Sequence, residues 1–442
     1  MALGVLSDPN ASEIEQVCMR RVVRRTIPLL MICYFVAYLD RVNVGFAGLT
    51  MNRDLHFSSS VFGFGSGIFF LGYFLFEIPS NLILEKVGAR RWIARILITW
   101  GIISGLTAAV QGETSFYVIR FLLGLSEAGF YPGIILFITW WFPSYYRSRI
   151  IGIFMTAIPF SVIFGSIVSG ALLSLDGSLG LAGWQWLFVL EAAPAVVMGF
   201  VVMFYLTDRP SDAHWLPPDQ QRWLVGRLAT EAAHRVSVRD YGLGEVMRNG
   251  RVWGLTLVYF GQNVTGYGLV IFLPQIVKRF GVSDLATGFL SALPFVFGAM
   301  GMVLWGLHSD RTGERNRHCA AACFLQFLGL AACIFITNPV LLMVAIVISQ
   351  MGGSAIAPTF WTLPTAMLSG TAAAGGIALI NAVGNLGGFV GPYAMGVVRD
   401  YTGSFTIGLL TIACGALVSA IAVFLLGHDR GLEKFPAGKL AE

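Results

Sequence analysis

Polar punctuation divides the chain into twelve apolar runs, at roughly 27–50, 60–84, 92–111, 115–140, 148–175, 186–206, 252–277, 285–308, 318–337, 339–362, 371–398 and 404–427. Each is close to the ~20 residues that an α-helix needs to cross the hydrocarbon of a bilayer. Lipid offers no partner to a backbone amide, so runs of this length span as helices or not at all. Composition agrees, with 56% of the 442 residues hydrophobic and 12% charged, about half the charge of a soluble domain. The sequence therefore predicts an all-α membrane protein with twelve transmembrane helices.

Residues 1–26 are polar and carry Arg20, Arg21, Arg24 and Arg25 directly before the first run. No short apolar core with a small-residue cleavage site precedes them, so they read as a cytoplasmic segment and not as a signal peptide. With the N-terminus inside, roughly 23 Lys and Arg fall in cytoplasmic segments and about 4 in outer loops, which places both termini in the cytoplasm. The net charge of +5 follows from that bias and implies no nucleic acid partner. The six cysteines lack zinc-ligand spacing, and Cys319 and Cys323, one helical turn apart, read as small packing residues. Histidines sit in loops or near span ends, and neither a metal site nor a cofactor is expected.

The longest polar segment, 207–251, separates six runs from six. On this reading 27–206 and 252–427 are two six-helix halves, 207–251 is a cytoplasmic linker with some amphipathic helix, and 428–442 is a cytoplasmic tail. The halves are related: "EKVGARR" (85–91) matches "DRTGERN" (310–316) at an offset of 225 residues, and the same shift carries Pro28 to Trp253 at the start of the seventh run. Repeated halves of this kind build a large class of transporters, with the binding site near the midplane between them.

"GLHSDRTGER" (306–315) resembles the loop signature of the major facilitator superfamily, in which Gly is followed after three residues by Asp-Arg and then by Gly and basic residues. The resemblance implies a latch of Glu85, Arg90, Asp310, Arg311 and Arg315, with the acid capping a helix end and the arginines pairing with carboxylates. The first copy departs from the pattern, with Asn81 where Gly is usual and Glu85-Lys86 in place of Asp-Arg. "GFGSGIFFLG" (63–72) and "GNLGGFVGPYAMG" (384–396) supply small residues that let helices approach closely in lipid. Pro132, Pro159, Pro194, Pro274, Pro294, Pro358 and Pro364 mark places where helices should kink or unwind.

Charges inside the runs are the strongest functional signal. Each costs roughly 2.5 to 3.5 kcal/mol at a helix centre. "YFVAYLDRVN" (34–43) places Asp40 and Arg41 about 18 Å along the first helix from Pro28, near mid-bilayer. The fourth run adds Arg120 and Glu127, seven residues apart on one helix face. Two carboxylates and two guanidiniums make a neutral set, the least costly way to hold them there. A buried ion pair rarely outperforms apolar packing of the same volume, so stability alone does not explain four such charges. Removal from water favours a protonated carboxyl and a nearby guanidinium favours a carboxylate, so arginine movement, or its capture by an anion, would load and unload Asp40 and Glu127.

"YLDRVNVGFA", "RFLLGLSEAGFYPG" and "WWFPSYYRSR" resemble the anion:cation symporter family within that superfamily, and "FWTLPTAMLSGTAAAGGIALINAVGNLGGFVGP" (360–392) is similar to its tartrate-type permeases. The resemblance implies that Asp40 and Glu127 are the protonation sites and that Arg41 and Arg120 handle a substrate carboxylate, with Tyr38 and Tyr73 beside them. In the second half the runs hold Gln262, Asn263, Tyr267, Gln350, Trp361, Thr362, Asn381 and Asn385, groups suited to reading hydroxyls. Trp361 and Asn385 are expected to touch substrate, and the other amides to serve interhelical hydrogen bonds equally well. Glu77 and Glu191 are expected to pair with neighbouring loops or helix ends, a proton-relay role being the alternative, Arg147 and Arg149 to act as inner-side anchors or latch partners, and Trp140, Trp141, Trp184 and Trp186 to form an interfacial belt.

Together these features predict a proton-coupled symporter that imports a small hydroxylated carboxylate, such as tartrate or an aldonate, by alternating access across a bacterial cytoplasmic membrane. A monomer suffices for this architecture. The alternatives are an aromatic or other organic anion, taken up or exported, and a sensor that binds acids without moving them, for which the sequence offers no long output domain. No metal cluster, phosphate-cradling loop or nucleophile with a base lies in the runs, so an enzyme is not expected.

Overall fold

The computed structural model describes residues 12–235, 247–367 and 370–426, and among them contains helices and no strand. Twelve helical spans have the length and hydropathy to cross a membrane: Glu13–Ala47, Ser59–Val87, Ala89–Ala109, Glu113–Trp141, Ser144–Leu175, Gly183–Tyr205, Gly250–Lys278, Asp284–Thr312, Asn316–Phe335, Pro339–Pro364, Gly376–Thr402 and Phe405–Leu426. They are called spans one to twelve below, six to each pseudo-symmetric half. The expected tail, 428–442, lies outside the described residues, as does part of the linker.

Span one starts well before the expected Ile27. The Ser12 side chain accepts from the Glu15 N–H, and Glu13 and Glu15 occupy the first turn, where acids favour a helix N-terminus. Its early apolar residues Cys18, Met19 and Val22 are buried, and the Cys18 thiol reaches the Gln220 carbonyl of the linker helix Pro218–Arg235 at 3.7 Å. The same helix is held at its other end, where Glu231 accepts from the Ser144 N–H at 3.0 Å and pairs with Arg147 at 3.6 Å. This side of the bundle is the linker face.

Three span interruptions follow a proline rule, and a fourth, at Leu386 in span eleven, does not. A proline ring clashes with the carbonyl four residues earlier and leaves it without a donor. Accordingly, span four breaks at Ala128, ahead of Pro132; span five at Thr156, just after the residue that Pro159 disturbs; and span ten at Trp361, just after the residue that Pro364 disturbs. Pro194, Pro274 and Pro294 lie within uninterrupted helices. At the span-four break Ala128 is extended (ψ 134°) and Gly129 is left-handed (φ 84°). A Cβ on Gly129 would also stand 2.2 Å from the Ser80 hydroxyl, so glycine is required twice over.

The halves close on each other at the face opposite the linker. Span two lies on span eleven so tightly that a Cβ on Gly63 would meet the Pro392 carbonyl at 2.3 Å, and Gly45 of span one lies against the Ile271 carbonyl of span seven. Asp400 accepts from the N–H groups of Ser59 (2.9 Å) and Ser60 (2.7 Å), capping span two from across the interface. Arg399 donates to the Ser59 hydroxyl at 2.7 Å.

Two features depart from the expected membrane belt. Trp141 and Trp184 are buried, not interfacial: the Trp141 indole N–H donates to the Asp208 carbonyl at 3.3 Å, and that of Trp184 to Asp54 at 3.2 Å. Their polar atoms are thus satisfied by loops folded back onto the bundle.

Candidate functional site

Asp40 and Arg41 are consecutive on a helix, so their side chains leave the axis about 100° apart and face different neighbours. Arg41 does not pair with Asp40. Its Nε donates to Glu127 Oε1 at 3.0 Å, and Nη2 bonds the same oxygen. Its Nη1 crosses to the other half and donates to the Tyr267 hydroxyl at 3.0 Å. The guanidinium stands over the rings of Tyr38 (5.1 Å), Phe69 (5.5 Å) and Tyr73 (5.6 Å), an aromatic cage that suits a cation.

Asp40 turns instead into the first half, where it accepts from the Ser104 hydroxyl at 2.7 Å, the Asn43 amide at 3.0 Å and the Trp100 indole N–H. Three neutral donors hold this carboxyl, and it is 2% exposed. Trp100 and Ser104 of span three escape sequence reasoning because a Trp or Ser in an apolar run usually serves packing.

Arg120 is 3% exposed. Its Nη2 makes a long bond to the Ser66 carbonyl (3.4 Å), and its Nε is buried without a partner. It faces the Phe69 ring at 5.4 Å, so Arg41 and Arg120 both approach one aromatic side chain. Glu127 has a buried oxygen, Oε2, that also lacks a partner. The site thus holds two guanidiniums, one incompletely satisfied, and a carboxyl with room for one more bond.

In the second half, Asn263 donates to the Gly384 carbonyl (3.0 Å), Gln262 to the Cys323 thiol (3.4 Å) and Gln350 to Ser354 (3.2 Å). Those amides support their own half. Asn381 reaches across and donates to Glu77 Oε1 at 2.9 Å, so Glu77, expected to pair with a loop or helix end, instead meets the other half. Trp361 stands edge-on to Tyr259 at 5.1 Å, and Asn385 is half-buried.

The first loop copy ties to the start of the linker, and the second into its own half. Arg90 pairs with Asp208 at 3.8 Å, and Asp310 with Arg315 at 2.5 Å, whereas Glu85 and Arg311 are exposed. Among the described residues no group of three or more His, Cys, Asp or Glu could hold a metal ion.

The family model of the Major Facilitator Superfamily matches residues 30–392. A protein of Agrobacterium vitis described as "Putative tartrate transporter" is 53% identical over 420 residues, covering 94% of this chain and 96% of its own. An Acinetobacter baumannii protein described as "Quinolone resistance transporter" is 40% identical over 418 residues, covering 94% and 96%. Among solved structures, that of a bacterial homolog of the human lysosomal transporter Spinster, inward-facing and occupied, superposes with a TM-score of 0.75 at 17% identity, covering 93% of this chain and 98% of that one.

Proposed function

The chain belongs to the major facilitator superfamily, a family of membrane transporters and not of enzymes, and we propose that it imports a small hydroxylated carboxylate, tartrate or an aldonate, together with protons. The observation that carries this reading is the pair of guanidiniums that meet at the Phe69 ring, that of Arg120 buried and that of Arg41 partly buried and bound to the Glu127 carboxyl. A substrate carboxylate takes the place of Glu127 on Arg41, in the bidentate geometry that guanidinium favours. Glu127, released, takes a proton, so charge at the site is conserved. Arg120 supplies a second cationic contact through its unpartnered Nε, while Tyr267 and the half-buried Trp361 and Asn385 offer groups for hydroxyls. Asp40, which is separate from this exchange, carries a further proton.

The name of the Agrobacterium vitis relative supports tartrate. On this reading the linker face is cytoplasmic, the membrane is the cytoplasmic membrane of a bacterium, and the protein works as a monomer.

The test is uptake into liposomes under an inward proton gradient, with labelled tartrate, an aldonate, phthalate and a neutral sugar. Hydroxy-acid uptake that a protonophore collapses is the expected result; uptake indifferent to the gradient would sink the symport. A second reading, aromatic acid export, is favoured by the quinolone-named relative and by the ring cluster of Tyr34, Tyr38, Tyr131 and Phe154 beside the site. Phthalate efflux, with no hydroxy-acid uptake, would select it.

A further inference from the structure

Span six treats its polar groups differently along its length. Glu191, expected to meet a loop or helix end, is buried inside the first half and accepts from the Ser169 hydroxyl of span five at 2.7 Å. At the linker face the span instead meets an arginine of span one. Arg25, half-buried, holds its guanidinium over the Tyr205 ring at 4.2 Å and the Trp215 ring at 4.9 Å. Trp215 is itself fixed, stacked on the buried Trp141 at 5.7 Å and donating to the Thr207 hydroxyl at 3.2 Å. A guanidinium held by its faces keeps its N–H edge for an acceptor. Among the described residues neither Arg25 nor Arg21, one turn earlier on the same helix face, has an ion-pair partner. The loop from Tyr205 to Trp215 holds two acids, and both are engaged: Asp208 accepts from the Arg90 N–H at 2.7 Å and Asp212 from the Ser211 hydroxyl at 3.3 Å.

Tyr205 is also the last residue of span six, and an apolar groove runs from it along the helix. Val197, Phe200, Val201 and Phe204 share a face with Tyr205, and the five line a hollow of 470 Å³. Each of them is at least 38% exposed. From 205 back to 197 the helix rises ~12 Å, so the groove leads from the membrane surface into the hydrocarbon. A cation with free donors thus stands at the mouth of an apolar channel. We propose that this is a binding site for an anionic phospholipid, its phosphate on the Arg25 fork with Arg21 as the second cation, and one acyl chain along span six. Arginine meets phosphate in paired hydrogen bonds, and basic pockets beside membrane helices take acidic headgroups. Arg24 is exposed and leaves the helix about 100° from Arg25, so it adds only to the general charge of this face. The site is separate from Arg41 and Arg120 and stands whatever the cargo.

The experiment gives the purified full chain, in detergent, phosphatidylglycerol or phosphatidylcholine with identical acyl chains, and follows retained lipid by native mass spectrometry beside thermal unfolding. Wild type is expected to retain one phosphatidylglycerol, and to unfold at a higher temperature with it than with phosphatidylcholine. Arg25→Gln should lower that retention about fivefold or more, whereas Arg24→Gln should leave it unchanged. Val201→Trp fills the groove without touching a charge and should lower retention as well, so it decides the matter if Arg25→Gln does not fold. Equal retention of the two lipids by wild type, or equal losses in Arg24→Gln and Arg25→Gln, would overturn the proposal. Glycerol phosphate, which has no acyl chain, separates the sources: stabilisation equal to that by phosphatidylglycerol would make this a site for soluble phosphate and overturn the lipid.

Discussion

The two halves treat charge in opposite ways. In the first, Arg41, partly buried, and Glu127, fully buried, form an ion pair, and Asp40 is met by donors of its own half. In the second, polar side chains of the spans are mostly neutral, and three of its amides are occupied within it. Where the halves touch, a charged group of one meets a neutral group of the other: Arg41 with Tyr267, Glu77 with Asn381, Asp400 with the N–H groups of Ser59 and Ser60. Parting the halves at these bonds separates no ion pair. Hydrogen bonds to charged groups contribute about 1.5 to 3 kcal/mol each, far less than the cost of stranding a buried charge. A carrier must open and close repeatedly, and this arrangement keeps the expensive interactions out of the moving seam.

The comparison can be broken hardest at Glu127. Removing one member of a buried ion pair costs roughly 3 to 5 kcal/mol. Glu127→Gln is therefore expected to lower the melting temperature in detergent and to abolish proton-driven tartrate uptake; accumulation near wild-type levels would show that Arg41 needs no carboxyl partner. Asp40→Asn comes next. Wild-type uptake should fall as external pH rises, by up to about tenfold per unit for one coupled proton, because the outward carboxyl must be protonated to load. In Asp40→Asn that slope should vanish while counterflow exchange survives, and a retained slope would remove Asp40 from the coupling.

A smaller effect is expected where the second half reaches in. Tyr267→Phe keeps the ring contact with Phe70 (4.4 Å) and loses only the hydroxyl on Arg41, so KM for tartrate should rise about tenfold with little change in kcat. An unchanged KM would confine anion recognition to the first half. Asn381→Ala sharpens the contrast least, changing initial uptake by about fivefold or less. A loss comparable to that of Glu127→Gln would mean that the seam with Glu77 is not merely a neutral contact.

The twelve spans and their twofold repetition are legible in the sequence because lipid imposes a length on every crossing, and because the loop from Glu85 to Arg91 returns at Asp310 to Asn316. Asp40, Arg41, Arg120 and Glu127 stand out because charges in apolar runs are costly. Their pairing is not legible. Adjacency suggests that Asp40 serves Arg41, but helix geometry sends the two side chains to different neighbours, and only the packing of spans one, three and four shows Glu127 on Arg41 and Trp100 on Asp40. Burial of Trp141 and Trp184 was equally hidden, since an aromatic near a span end looks the same whether it meets headgroups or a folded-back loop. Prolines were visible, but not which of them interrupt: Pro132 does, and Pro194 does not.

The interruption in span four has a mechanical consequence. A continuous helix is a stiff rod, and torque applied at one end reaches the other. Cut at Ala128 and Gly129, this rod becomes two levers on a swivel: the segment Glu113–Glu127 bears Arg120 and the carboxyl on Arg41, and the segment Phe130–Trp141 ends just before the start of span five, which anchors the linker helix. The second lever can tilt with the linker face without twisting Glu127 off its arginine. The joint works as a mechanical fuse: a swing at the linker face need not travel as torque to the ion pair of Arg41 and Glu127.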